Sequence, residues 1–473
     1  MLWACVLLPS LALDGVLRGQ PPLMQPFALV HGSAQRRTLM AVNAAARARG
    51  LRPGQRLAEA QALCGELLTQ PFDSRQRERD LELIAAWAYR YSADVLLDPP
   101  HALALEVGRS LRLFGPWPRL AAELRAGLAA LGFHHRLAAA PNPCAARVLA
   151  RARDGATAAD DRQLRQLLRD VPVARAGLPR EAAALPGMGI RFMGQLLDLP
   201  RAALERRFGP LLSRRIDALL GARPTGLRRY EPPEHFEARF ELATEIHGVQ
   251  ALLFPLRRML ADLATFAAAR GCGVQRFTLR FTHAQPPATE LAVGLLSPEH
   301  RAAALFEVAR LRLENFSLDQ PVLEFAVRAD ALRPYTPPGT DLWDARSANP
   351  LQWEELVNRL RARLGEGAVH GLAADPDPRP ERASLPDTAD ADTAVAAPAS
   401  PAPRPTWLLP QPVPLSRPPA RILAGPERLE TGWWDGGDVR RDYYVVELPD
   451  GQRAWVYAPP GRRDGFMLHG WFA

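Results

Sequence analysis

Residues Leu2 to Leu8 read LWACVLL, an unbroken apolar run closed by Pro9. A segment with no polar side has no face to give to water, and a central strand buried on both faces suits it. The run is far shorter than the roughly 20 apolar residues a membrane span needs, and no basic segment precedes it as in a secretory leader. One such strand commits the rest of the chain to supplying partner strands and covering helices.

Those elements can be read off in order. Leu39 to Leu68 looks helical with a break at Gly50–Gln55 (GLRPGQ), and an amphipathic helix is expected at about Arg75–Tyr91. LLDPP, ALALEV and SLRLFG read as short strands, and residues 117–151 as helix, strand (HHRLAAA) and helix. This mixture predicts an α+β layer domain. Residues 160–220 read as short helices punctuated by LPGMG and RRFG. From Phe236 to Arg333 the order is strand, helix, strand, strand, helix, strand, which a four-stranded sheet backed by two helices would satisfy. Residues 372–403 are rich in Ala, Pro and Asp and lack aromatics, so a flexible linker is expected there. A small module dense in Trp and Tyr follows over 404–473, with a hairpin around PDG. At 473 residues, more than one core is expected in any case.

Composition removes several chemistries. All 59 basic residues are arginine, so a lysine nucleophile, a Schiff base and a GK[ST] phosphate loop are excluded. The net charge of +8 suits phosphate partners without requiring them. Cys5, Cys64, Cys144 and Cys272 are scattered with no CxxC, which argues against a disulfide framework or a zinc site and for a reducing cytoplasm. No cofactor is expected.

Five segments in order are more specific: the apolar strand, VNAAARARGLRPGQRLAEAQALC, YSADVLLDPPHALALEVGRSLRLFG, AAAPNPCAARVLARA, and a helix-hairpin-helix around LPGMG. Together they resemble a Y-family translesion DNA polymerase. With the ending GPERLETGWWDGGDVRRDYYVV they resemble its ImuB-type, catalytically silent branch, over nearly the whole chain. The resemblance implies palm and fingers over 1–165 (fingers about 20–76), a thumb with a helix-hairpin-helix over 166–230, and a little finger over 234–335. A clamp-motif region and helix would occupy 336–371, followed by the linker and a partner-binding module over 404–473. It also implies a cytoplasmic, nucleoid-associated role in DNA repair, the SOS response and mutagenesis.

For chemistry the resemblance implies a loss. Polymerases grip two divalent cations with carboxylates, since hard metals choose oxygen ligands. Active members place a carboxylate at the centre of the first strand and an Asp-Glu pair shortly before a strand-borne Leu-Asp. If Leu105-Glu106 stands for that Leu-Asp, the expected positions are occupied by Ala4, Val6, His101 and Ala102, with Glu106 left over. The nearest other acid, Asp14, lies beyond Pro9, and one histidine cannot replace three carboxylates. The family's Tyr-x-Ala-Arg, whose Tyr and Arg touch the incoming triphosphate, becomes Ala44-Ala45-Ala46-Arg47, which keeps Arg47 alone. Its Asn-Lys becomes Asn142-Pro143.

DNA-binding features are better kept. LPGMG (Leu185–Gly189) has the glycine pattern of a helix-hairpin-helix turn, and GIRFMGQLLDLP offers an overlapping register. Gly187, Gly189, Arg191 and Gly194 are therefore candidate DNA contacts. Residues 173–236 hold 11 arginines against 6 acids, and Arg201, Arg206, Arg207, Arg214 and Arg215 could track one backbone, some of them facing only water. Gly339-Thr340-Asp341-Leu342-Trp343 resembles the pentapeptide that docks on a sliding clamp, with Gly339 where a Gln is usual. Asp341, Leu342 and Trp343 are its candidate anchors, and the other reading folds Leu342 and Trp343 onto the little finger. In the terminal module Trp433, Trp434, Arg441, Asp442 and Tyr443 are candidate partner contacts. These rings, with Tyr444, Trp455, Phe466 and Trp471, could form one mini-core or in part a binding surface; with Tyr457 and Phe472 besides they exceed what so small a fold can hide, which favours both roles.

The function these features imply is a non-catalytic scaffold in translesion synthesis. Its expected partners are damaged or primer-template DNA, the sliding clamp, a RecA-like companion and an error-prone replicative-type polymerase, with no membrane. Two rivals stand beside it. One is a working lesion-bypass polymerase with other metal ligands, and the other a general helix-hairpin-helix DNA-binding module.

Overall fold

The apolar run becomes β1 (Trp3–Leu7), followed by α1 (Leu11–Leu17). Next come β2 (Phe27–His31), β3 (Thr38–Val42), α2 (Ala44–Ala48), α3 (Leu57–Leu63), β4 (Leu68–Pro71) and α4 (Ser74–Ala88). β5 (Val95–Asp98), β6 (Ala102–Glu106), α5 (Leu111–Phe114), α6 (Trp117–Ala130), β7 (Arg136–Ala140) and α7 (Pro143–Ala152) complete this part. The computed structural model describes residues 1–18, 23–33, 36–178, 180–224, 226–335, 353–369, 371–375, 377–387 and 403–473. They fall into two units, Met1–Arg363 and Leu364–Ala473.

β1 runs antiparallel between β7 and β6 in a five-stranded sheet of order β7-β1-β6-β5-β8, where β8 is Arg228–Arg229. Successive side chains of a strand point to opposite faces, and β1 is apolar on both because both are covered. Ala4, Val6 and Leu8 pack with Leu103, Leu105 and the α4 and α6 residues Ile84, Leu120 and Leu124. Cys5 and Leu7 pack with Ala102, Ala138, Ala140 and α7. α7 starts where the sequence lets it: Pro143 occupies its first turn, and Asn142 Oδ1 accepts from Ala145 N at 2.8 Å.

Two expected elements differ. The stretch read as helix from Leu39 opens instead as β3, which pairs with β2 in a small sheet of order β3-β2-β4. SLRLFG, read as a strand, is the one-turn helix α5, stopped at Gly115. Both segments are too short for a period of 2 or 3.6 to declare itself, and tertiary pairing decides.

Four helices follow: α8 (Asp161–Arg169), α9 (Met193–Leu197), α10 (Arg201–Phe208) and α11 (Pro210–Leu219). The next layer is β9 (Phe236–Ile246), α12 (Val249–Ala268), β10 (Cys272–Thr282), β11 (Thr289–Glu299), α13 (Ala302–Glu314) and β12 (Val322–Ala329). The sheet order is β11-β10-β12-β9, with the short β13 (Leu332–Pro334) also on β10, so the strand and helix order expected from the sequence is the order found. α12 shares a core with the first sheet's helices and is ion-paired to them: Arg18, at the end of α1, donates to Asp262 at 2.6 and 2.7 Å and to Asp80 of α4 at 3.4 Å. α14 (Trp353–Leu364) is joined to β11 through Asn358 Oδ1, which accepts from Leu296 N at 2.9 Å.

The second unit holds β14 (Gly371–Ala374), β15 (Ser384–Asp387), β16 (Trp407–Pro414), β17 (Arg421–Thr431), β18 (Val439–Glu447), β19 (Arg453–Ala458) and β20 (Met467–Trp471). The last five form one sheet of order β16-β20-β19-β18-β17, and the expected hairpin around PDG is β18–β19. The supposed linker at 372–403 begins as ordered structure, because β14 pairs with β15. Between those strands Arg379 is buried and its Nη2 donates at 2.6 Å to both Asp377 and Asp435. Composition hid this because backbone pairing and one ion cluster, rather than an apolar stripe, hold the segment.

Candidate nucleic-acid interface

Register sets one line of residues across the first sheet: Asp98 pairs with Ala102, Ala102 with Leu7, and Leu7 with Arg136. By strand alternation this line lies on the α7 side, and the next line on that side contains Ala104, Cys5 and Ala138. Ala4 and Val6 point into the opposite core. The β1 residues on the face of Ala102 are therefore Cys5 and Leu7, not Ala4 and Val6. His101 sits in the β5–β6 turn, where its carbonyl accepts from Leu8 N at 2.8 Å.

The charge on this face is inverted relative to a metal site. Arg147 of α7 forms an ion pair with Asp98, both side chains mostly buried. Burial raises the Asp98 pKa although Arg147 opposes it, and burial, then Asp98, pushes the Cys5 thiol up to about 12. Burial, then Arg147, Arg151 and Arg77, lowers the His101 pKa, keeping the imidazole neutral at pH 7. A carboxylate already held by a guanidinium, beside a neutral imidazole, is a donor set that does not fit two hard divalent cations.

The remaining acids of the neighbourhood have structural duties. Glu106 is buried, and its Oε1 accepts from Leu2 N at 3.3 Å and Gly108 N at 3.1 Å, its Oε2 from Arg109 N at 3.3 Å. It fixes the loop after β6. Asp14 is held by His134, through Nδ1 at 2.8 Å and the backbone N–H at 2.9 Å. Arg47 is exposed on α2, and its Nε donates to Val42 O at 3.2 Å.

In the helix-hairpin-helix region Gly187 and Gly189 lie exposed, and Arg191 N and Phe192 N both donate to Gln195 Oε1, at 2.8 and 3.1 Å. Gly194 differs from these candidates. It is buried, and a Cβ there would lie 3.1 Å from the Arg169 backbone, so it serves the packing of α9 on α8 and is not a DNA contact. Arg206, Arg207 and Arg214 are exposed on α10 and α11, whereas Arg201 is ion-paired with Asp217 at 3.1 Å. Arg215 turns inward toward Cys144 and Asp98, away from the line its neighbours form.

The aromatic residues of the second unit divide in two. Trp433 and Trp434 are 77% and 59% exposed and meet edge to face, with ring centroids 5.6 Å apart. Tyr443 and Asp442 are interior. Tyr443 stacks on Trp455 at 4.1 Å and its hydroxyl meets His469 Nδ1 at 2.8 Å, while Asp442 is bound by Arg428 at 2.8 Å. Arg441 donates to the Tyr443 hydroxyl at 3.0 Å and pairs with Glu381 at 3.1 Å. Arg441, Asp442 and Tyr443 thus hold the module together and are not an outward partner patch. The clamp-like segment with Asp341, Leu342 and Trp343 lies outside the described residues.

Sequence reading passed over Leu7, Cys5, Asp98, Arg147, Arg151 and the exposed Trp407. The signal for one pair was present, since Arg147 and Arg151 stand at i and i+4 in PCAARVLARA, a spacing that puts two like charges on one helix side.

The chain is similar to several known proteins. Residues 16–151 match the IMS (impB/mucB/samB) family. Proteins described as Protein ImuB from two strains of Caulobacter vibrioides (NA1000 / CB15N and CB 15) are each 30% identical over 467 residues, covering 89% of this chain and 100% of the relative. Among solved structures, an insertion ternary complex of Dbh DNA polymerase aligns over 71% of this chain and 100% of that chain, at 14% identity and a TM-score of 0.41. DinB from Sulfolobus solfataricus aligns over 71% and 100%, at 15% identity and a TM-score of 0.40.

Proposed function

The chain belongs to the ImuB family, and from that premise we propose a polymerase-shaped scaffold of DNA damage tolerance that holds damaged or primer-template DNA without extending it. The observation that carries this reading is the Asp98–Arg147 ion pair on the face shared with Ala102 and Leu7. A carboxylate neutralised by a guanidinium is a poor magnesium ligand, and its apolar neighbours offer no oxygen to assist it. DNA binding is favoured by the exposed Arg206, Arg207 and Arg214 and by an open glycine turn at Gly187 and Gly189.

Exposed aromatic pairs serve as anchors in protein interfaces, and Trp433–Trp434 is such a pair. On this reading it captures a RecA-like companion and an error-prone replicative-type polymerase, while Leu342 and Trp343 anchor a sliding clamp. The two activities should separate. Deleting residues 404–473 should abolish capture of the companion proteins and leave DNA affinity within about threefold, or roughly 0.6 kcal/mol. Capture by the 1–403 fragment, or loss of DNA binding with the tail, would contradict the scaffold reading.

A further inference from the structure

We propose that Arg147, Arg151 and Arg215 together form a metal-independent receptor for one phosphate group of the DNA backbone, on the side of the first sheet where Asp98, Ala102 and Leu7 align. The proposal rests on the DNA-binding reading above and deepens it by giving that reading a defined anion site.

Arg147 and Arg151 stand one helical turn apart on α7, and Arg215 approaches from α11. Arg151 and Arg215 meet at Gly177, whose φ of +61° places it in the left-handed region, while Arg147 faces Asp98 one helical turn away. A Cβ there would lie 2.7 Å from Arg151 Nη1 and 3.4 Å from Arg215 Nη2. Any side chain at 177 would fill the space in which those two guanidinium tips converge.

Three guanidiniums here share one carboxylate. Asp98 is ion-paired with Arg147, and among the described residues neither Arg151 nor Arg215 has a carboxylate within ion-pairing distance. Arg215 instead touches the Cys144 thiol, and His101, Cys5 and Cys144 supply no negative charge at neutral pH. Arg147 Nε is buried without a partner. Two nearby arginines are used otherwise, as helix caps. Arg136 Nη1 donates to Arg151 O at 3.3 Å and Arg175 Nη1 to Ala152 O at 2.9 Å, satisfying carbonyls at the negative end of α7.

Half-buried like charges repel one another and lose hydration, and a counter-anion relieves both costs. Burial, then Arg147, already lowers the proton affinity of Arg151. A tetrahedral phosphate is the matching anion, because each guanidinium fork can give it two parallel charge-assisted bonds. No divalent cation is needed, since the arginines themselves supply the positive charge.

The test uses the full chain, with Arg151→Gln plus Arg215→Gln as one variant and Arg151→Lys plus Arg215→Lys as the control. Primer-template binding is followed by anisotropy over a salt series, in EDTA and in Mg²⁺. The Gln variant should lower the log–log salt slope by about 0.7–0.9 for the one phosphate it no longer holds, equally in both buffers. Its melting temperature should stay level or rise, because a repelling charge has gone, and the Lys control should keep the slope. A destabilised Gln variant with an unchanged slope would mean that the cluster is structural, overturning the proposal while DNA binding by the parent chain stands. Should the parent chain instead gain thermal stability from pyrophosphate or a dNTP, lost in the Gln variant with no change in DNA slope, the receptor takes a nucleotide anion and the backbone assignment is wrong. Absence of any DNA binding by the parent chain would sink the DNA reading itself.

Discussion

Replacing Asp262 with Ala should be among the most damaging single changes in the first unit. Asp262 takes two short bonds from Arg18, at 2.6 and 2.7 Å, and the Arg18 side chain is 6% exposed. Without Asp262, the one carboxylate left to Arg18 among the described residues is Asp80 at 3.4 Å, itself shared with Arg258 at 3.8 Å. Arg258 is already held down to about 10 by burial and then by Arg18, so a second guanidinium cannot be left uncompensated cheaply. Breaking one partner of a buried pair costs about 3–5 kcal/mol, whereas replacing both partners by apolar groups is often neutral. Asp262→Ala should therefore speed amide exchange in α12 by roughly two to four decades relative to the parent chain. Arg18→Met combined with Asp262→Leu should recover most of that loss, since Asp80 retains Gln76 Nε2 at 3.1 Å. Urea unfolding should give the same ranking. A loss under about 1 kcal/mol for Asp262→Ala, or a double variant no better than the single, would refute the idea that this network holds α12 on α1 and α4.

Three further outcomes are expected. Arg206→Ala, Arg207→Ala and Arg214→Ala together should reduce the salt slope of DNA binding by about 0.7–0.9 for each phosphate no longer neutralised, measured by anisotropy. Trp433→Ala with Trp434→Ala should abolish partner capture in a pull-down at unchanged melting temperature, while Tyr443→Ala should lower the melting temperature because it empties an interior stack. The third concerns pH: Asp435 is held below the ordinary carboxylate range by Arg379 and then by the Gly437 N–H. A depressed carboxylate contributes stability that is present above its unfolded pKa, about 3.9, and is lost as pH falls toward the folded value. Trp fluorescence of the second unit should therefore show increasing acid lability below about pH 4, and Arg379→Ala should flatten that dependence while weakening the unit at neutral pH.

What could be read without coordinates depended on how strongly local pattern binds to place. The LWACVLL run suited a central strand, and the long elements from β9 to β12 declared their periods over enough residues to be counted. Short elements could not: β3 and α5 have five and four residues, and pairing partners far along the chain decide what they become. The functional face failed for a related reason. Shifting one residue along a strand exchanges its faces, so the sequence points to Ala4 and Val6 where Cys5 and Leu7 stand. The sequence puts Trp433, Trp434, Arg441, Asp442 and Tyr443 in one candidate patch, and the burial that sets the last three apart depends on cross-strand neighbours and on Glu381. The pairing of β14 with β15 was invisible to composition, because Arg379 and two aspartates replace an apolar core.

As proposed, this chain holds DNA and performs no transfer on it. The decisive assay is a single-turnover experiment with residues 1–473 in excess over a labelled primer-template, saturating dNTPs, and Mg²⁺ or Mn²⁺. The primer should be shifted into complex and none extended, with the same outcome for Asp98→Asn and Glu106→Ala. Templated extension by the parent chain that disappears in Asp98→Asn would show that the carboxylate paired with Arg147 is a metal ligand after all, and the scaffold would be an enzyme.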